Sequence, residues 1–295
     1  MRFLRAIGAP LLTLLAGGFL TLWMVRSAPG YDSDASELDG RRSAESVAAL
    51  RAANGASQPI LKAYVDYVQH LAHGDLGISR AWGRPVAELL SQRSLITAES
   101  AGVGLFFGWF AAVALSFAGS MHGMRPMAAA GRALSAVCLC VPAPALAIVC
   151  CLLLRNARAE IRVALTVAVL IAARTLLSSI PIIEAAGREG HVLHARARGV
   201  SALRLSLNHV LRRAAPALAA LLAAALPLAF AVAVPVETVC NLPGAGQLAW
   251  IAAQKRDLPV LTAMTMALLT LTLLTGTLTR SFSRARAGIA ERSGV

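Results

Sequence analysis

The chain has 295 residues, of which 57% are hydrophobic and 15% charged, with a mean hydropathy of +0.65. Soluble globular domains carry about 45–50% apolar and about 25% charged residues, so a water-soluble globule is excluded and a membrane protein is expected. The formal net charge of +13 would suit nucleic acid, but all but two of the 28 basic residues are arginines, lying largely in gaps between apolar runs; they read as topology signals rather than a phosphate-binding face.

A bilayer core needs about 20 apolar residues per helix. The first charge-free run, Ile7–Val25, follows the basic start MRFLR. It reads as a retained helix rather than a signal peptide. Its apolar run is too long for an h-region, and cleavage after Ala28 would leave Arg26 where a small residue is needed. The acidic, small-residue stretch APGYDSDASELDG that follows reads as a loop. In QPILKAYVDYVQHLAH, Pro59 suits a first helical position, and Ile60, Tyr64, Val68 and Leu71 recur at helical spacing until the turn GDLG at 74–77. A second short helix begins at Pro85 and runs through VAELLSQR toward the next apolar run. Both read as amphipathic helices over the outer face, with a small soluble cap as the alternative.

Further spans are Ser100–Ala118, Ala133–Leu154, Val163–Ile183, Ala214–Val236 and Leu258–Thr279. Val163–Ile183 is interrupted by Arg174, whose insertion costs about 2.5–3.5 kcal/mol. The expected fold is an all-α polytopic membrane protein with about six transmembrane helices. Its expected parts are an N-terminal helix (1–25), a long helical outer segment (26–95), a transmembrane domain (96–279) and a tail (280–295). Arg2, Arg5, Arg125, the six arginines from Arg188 to Arg213, Arg280, Arg284, Arg286 and Arg292 fall on one side of these spans. The opposite short loops hold Arg155, Arg158, Arg162, Lys255 and Arg256. The positive-inside rule then places both termini in the cytoplasm, with 26–95, 155–162 and 237–257 outside.

Little here suggests catalysis. His70, His73, His122, His191, His194 and His209 lie in no H-E-x-x-H or triad-like context. The i,i+3 pairs His70/His73 and His191/His194 have no Cys or carboxylate at ligand spacing, so solvated polar faces are expected rather than a metal site. Cys138, Cys140, Cys150 and Cys151 share one expected membrane helix, where cysteine behaves as a small apolar residue, and Cys240 stands alone outside. No Walker A loop or dinucleotide glycine pattern occurs, so no cofactor is expected on this chain, and any ATP must be bound by another. A polytopic membrane enzyme, the competing class, needs polar groups converging at membrane depth. Its charged candidates, Glu99, Arg132, Arg174 and Glu237, are scattered.

The segment HVLHARARGVSALRLSLNHVLRRAAP, residues 191–216, is too long for a simple turn between two membrane helices and reads as helical. Ala195, Ala197 and Gly199 make a small-residue patch beside Arg196 and Arg198. On composition alone an ordinary positive-inside loop is the favoured reading.

Several short motifs then occur in one order. ARARG at 195–199, followed by Ser201, His209 and Pro216, resembles the cytoplasmic EAA-type loop of binding-protein-dependent ABC importer permeases. In the oligopeptide and dipeptide (Opp/Dpp-like) branch a form like A-R-A-K-G replaces that consensus, and an outer E-T-V-F-x-x-P-G-x-G motif accompanies it. ETVCNLPGAGQL at 237–248 is similar, with Cys240 in place of the aromatic residue, and KRDLPVLTA at 255–263 resembles the R-D-x-P-V that follows. APGYD, QPILKAYVDYVQHLAHGDLGIS and PVAELLSQRSLITAES resemble the branch's P-G-D, its Q-Y-containing helix, its G-D-L-G-x-S and its P-V-x-x-x-L segments. The likeness runs from about Arg2 to Thr279.

It implies the first permease of a heterodimeric pair in the inner membrane of a bacterium, working by alternating access. It also implies two ABC ATPase subunits using ATP and Mg, and a periplasmic or lipid-anchored binding protein. Short peptides are the implied cargo, with nickel chelates, haem or glutathione as family alternatives. A diverged permease acting as a structural subunit is a further reading, suggested by the shortened outer loop. The coupling loop would be 184–213, with Ala195, Arg196, Ala197, Arg198, Gly199, Ser201 and His209 meeting the ATPase. Glu237, Thr238, Pro243, Gly244 and Gly246 would shape the outer mouth. The chain departs from the family pattern in its short 155–162 loop, in Leu177 where a second Arg is common, and in an end without D-P-R.

Overall fold

The computed structural model describes residues 2–27, 59–120 and 125–292. The APGYDSDASELDG stretch and His122 lie outside the described residues. The described helices are α1 (Arg2–Ser27), α2 (Ile60–Ala72), α3 (Val86–Ser120), α4 (Arg125–Cys140), α5 (Ala143–Leu153) and α6 (Ala159–Gly187). They continue as α7 (Gly190–Ala197), α8 (Ala202–Leu205), a π-helical turn (Ser206–Leu211), α9 (Arg212–Cys240), α10 (Ala245–Gln254) and α11 (Leu258–Arg292). The fold is the expected all-α polytopic one. Among the described residues five stretches are long and apolar enough to cross a membrane, and α4 with α5 make a sixth if the bent pair counts as one span.

That bent pair corrects the expected continuous helix Ala133–Leu154, because α4 and α5 meet at 102°. Pro142 takes the N-cap of α5 with Pro144 just inside it. Proline has no N–H to continue the ladder and pushes the preceding residue out of the helical region, so the apolar run breaks here. The short helix expected from Pro85 is also not separate, since α3 continues from Val86 straight through the second span.

The residues divide into two compact units, one of Met1–Gln92 with Leu248–Thr270 and the other of Arg93–Gln247 with Leu271–Val295. In the first, α2 packs on α1 through Tyr64. Its hydroxyl donates to the Leu15 carbonyl at 2.5 Å, and its ring meets Phe19 edge-on with centroids 5.5 Å apart. Leu22, Tyr64 and Leu258 form the core there, while Leu61 and Val65 stay exposed on α2. Burial, helped by the neighbouring Tyr64, pushes the Tyr67 hydroxyl up to about 12, so it stays protonated.

The same unit joins two motifs that lie 178 residues apart in sequence. The Ser79 hydroxyl donates to Asp257 Oδ2 at 2.5 Å, and the Ala81 N–H reaches the same oxygen at 3.0 Å. Both Ser79 and Asp257 are buried. The GDLGIS turn is thereby tied to KRDLPV, where Arg256 adopts φ 53° to end α10 and Lys255 lies 5.2 Å from the Trp82 ring centre. Both donors fall on Oδ2 and close the loop, while Oδ1 is buried without a partner among the described residues.

In the second unit α6 is the central helix. Val163, Val167 and Ile171 pack against Leu105 of α3, Ala147 of α5 and Ala225, Ala229 and Val236 of α9. Apolar burial gives no net drive between helices in lipid, so close backbone approach has to supply the contact. Gly104 and Gly108 of α3, a G-x-x-x-G pair, do this. A Cβ on Gly104 would lie 2.5 Å from the Ala164 carbonyl oxygen, and one on Gly108 would strike the Ala168 carbonyl. Lower on the same contact, the Ser116 and Ser179 hydroxyls hydrogen-bond at 2.6 Å.

Candidate functional site

The 191–216 segment between α6 and α9, read from the sequence as helical, is not one continuous helix. It folds as α7, a turn at Gly199, the one-turn α8 and the π-helical turn. Gly199 has φ +81°. The Gly199 N–H bonds the Arg196 carbonyl at 3.0 Å and the Val200 N–H bonds Ala195 at 3.3 Å, the Schellman pattern that closes a helix on a left-handed residue. A Cβ at Gly199 would meet nothing within 4 Å in this chain. Any side chain there is strained by the backbone, and the space beside it is open.

The segment is fixed from below and from its ends. Val192, Leu205 and Val210 are buried against Ile183, Ala186, Ala214 and Leu218. Arg213 Nε donates to Glu189 Oε1 at 2.6 Å, tying the start of α9 to the start of α7. Of the residues singled out in the sequence, Arg196, Ala197, Arg198, Gly199 and Ser201 are exposed together around the turn. Ala195 instead packs on the core beneath. His209 lies on the other side, where His191, His194, Ala195 and Arg198 complete an open cleft of about 510 Å³. The π-helical turn that carries His209 has no signal in the motif pattern; such turns recur at functional sites because they re-aim side chains within a helix.

A second cavity of about 500 Å³ has Arg132, Glu184, Arg188 and Arg196 among its lining residues. Glu184 lies 3.5 Å from Arg132 and 4.0 Å from Arg188. These half-exposed pairs each contribute only about 0–1 kcal/mol.

The ETVCNLPGAG stretch forms a compact knot around Glu237, which is fully buried. The end of α9 closes through Asn241 at φ 54°, with the Leu242 N–H on the Glu237 carbonyl at 2.9 Å. The chain then turns at Pro243 and Gly244 and starts α10. The first N–H groups of a helix have no partner within it. Here the Ala245 N–H bonds Thr97 Oγ1 at 2.7 Å. Those of Gly246 and Gln247 bond Glu237 Oε2 at 2.8 and 3.2 Å. The negative carboxylate also suits the positive end of the helix dipole. Arg93 Nη1 holds the Pro243 carbonyl at 2.8 Å.

Both glycines are demanded by space. A Cβ on Gly246 would sit 2.6 Å from Val234 Cα, and one on Gly244 would fall on the Glu237 carboxylate. Thr238 takes no part, because its hydroxyl bonds back to Val234 in its own helix. Cys240 is not alone, as the sequence suggested. Its sulfur lies 3.5 Å from that of Cys151, on a helix distant in sequence.

Long apolar helices packed at backbone distance, an exposed turn between α6 and α9 and a carboxylate-closed end on α9 fit a polytopic membrane protein. The profile of the family described as "Binding-protein-dependent transport system inner membrane component" matches residues 104–287, and the chain belongs to that family. It is thus a multi-pass inner-membrane component of an ABC importer, in a transport family. Relatives include the glutathione transport system permease protein GsiC of Salmonella choleraesuis (strain SC-B67), of Salmonella typhi and of Salmonella typhimurium (strain LT2). Each is 26% identical over 267 residues, covering 85% of this chain and 86% of the relative.

The Glu237 knot has a measurable stability. Glu237→Ala leaves the Gly246 and Gln247 N–H groups buried without their acceptor, a loss of about 1–3 kcal/mol. The purified protein should melt several degrees lower in detergent, with Glu237→Gln, which keeps an acceptor oxygen, losing less. An unchanged melting temperature for Glu237→Ala would contradict the role assigned to the carboxylate.

Proposed function

We propose that this chain is one half of a heterodimeric pathway through which an ABC importer moves a small peptide-like solute inward. Two ATPase subunits bind ATP and Mg and dock on the 184–213 segment, and a periplasmic or lipid-anchored binding protein delivers cargo from the other side. The chain itself holds no cofactor and catalyses no reaction. The observation that carries the docking reading is the exposed Gly199 turn, open beside its Cα and braced by the buried Val192–Val210 cluster. A surface pressed there moves α9 directly, because the π-helical turn runs into that helix without a break. The peptide-like cargo is supported by the motif set and by relatives named for glutathione transport. Arginine-rich ends on the side of 188–213 support cytoplasmic termini, with 237–257 outside.

The orientation is tested with single cysteines at Ala197 and Gln254, both exposed, in a protein with its native cysteines replaced. An impermeant maleimide added to intact cells should label only Gln254→Cys, and the reverse pattern or labelling of both would contradict the topology. The docking role is tested by Gly199→Asp. A side chain at φ +81° strains the turn and occupies the open space. Membrane insertion and pairing with the second permease should persist, while ATPase recovery in a pull-down falls and uptake is lost. Replacing Arg196 alone should do far less. Full uptake by Gly199→Asp would reduce the loop to a topological anchor.

A further inference from the structure

We propose that Arg174 is the cation a carboxylate-bearing cargo meets half-way through the membrane; this rests on the peptide-like reading of the cargo. Arg174 lies near the middle of the 29-residue α6 and on its exposed side. Among the described residues it makes no ion pair, whereas Arg132, Arg188 and Arg213 each have a glutamate. It lines a cavity of about 190 Å³ with Thr175 and Ser178, opposite Ala224 and Ala225 of α9. The two alanines leave the space that larger side chains would fill.

An arginine at this depth is too costly to face lipid, so its side of α6 faces water or protein. The exposed stripe continues toward the 188 end as Pro181 and Arg188, with Glu184 half-buried beside it, whereas the exposed Leu165 and Ile161 lie on the opposite face of the helix. On Arg174's side the helix is therefore buried in the core toward the 159 end, at Val167, Leu170 and Ile171, and open and polar from Arg174 onward. A guanidinium offers a planar fork of donors that matches a carboxylate. Each peptide with a free C-terminus carries at least one such group, and glutathione carries two. Pairing has to be transient for cargo to leave, which a single unsupported arginine in a small cavity provides.

The test uses the complete importer in proteoliposomes, with tri-alanine, tri-alanine amide and glutathione as probes. Arg174→Gln should lower kcat for tri-alanine and glutathione at least tenfold, and Arg174→Lys should restore part of it. Any uptake of the amide should fall less. Separately, Arg174→Cys in a protein lacking its native cysteines should react with an anionic methanethiosulfonate in one nucleotide state and not in the other. Wild-type rates for Arg174→Gln, or no reaction of Arg174→Cys in either state, would overturn the proposal. So would loss of the second permease from the Arg174→Gln complex, which would make the counter-charge a partner carboxylate. If the wild-type importer takes up none of the probes, the peptide-like reading fails, while the labelling still decides whether Arg174 faces the pathway.

Discussion

Lipid offers no hydrogen bonds, so every N–H and C=O within the membrane region must find its partner inside the protein. Helices meet this along their length and fail it at their ends. The chain is organised around closing those ends. Asn241 and Arg256 take left-handed conformations to terminate α9 and α10, and Glu237 with Thr97 satisfies the first N–H groups of α10. Asp257 does the corresponding work for the GDLGIS turn. Donors converge on one oxygen of each of the buried carboxylates Glu237 and Asp257, and the glycines beside Glu237 are small because the carboxylate and the α9 backbone occupy the space.

This constraint gives α9 its place in the mechanism. Its first turn continues from the π-helical segment under the Gly199 turn, its middle faces the Arg174 cavity, and its last turn carries Glu237. Pro216, Pro227 and Pro235 lie inside it. Each removes a backbone donor and allows a bend. One helix thus joins the Gly199 turn, the Arg174 cavity and the Glu237 end through continuous backbone, the route by which the proposed docking movement would travel.

Much of this was legible in the sequence, for stated reasons. Charge-free runs mark membrane spans because burying charge in hydrocarbon is so costly, and the helical character of 191–216 was legible, though not its break at Gly199. The ordered motifs pointed to the family. Other features leave no trace in hydropathy, or none in a local motif. Counting apolar residues passed over VPAP at 141–144, although proline breaks the helix there whatever its hydropathy. Gly104 and Gly108 vanish in a hydropathy count, yet their spacing is the signal for close helix contact. The pairs Ser79–Asp257 and Cys151–Cys240 join distant residues, and no local pattern shows which partner a buried polar or sulfur group will find.

The central claim is that the chain is half of a pathway and is driven by other subunits. Affinity purification of the tagged chain from its native membrane in mild detergent, followed by mass spectrometry of what accompanies it, tests that claim most directly. The account predicts a second permease of the same family and ABC ATPase subunits in the purified complex, with ATP hydrolysis belonging to the ATPases. A chain that purifies alone from intact membranes, with no permease or ATPase at any detergent or salt condition, would contradict it.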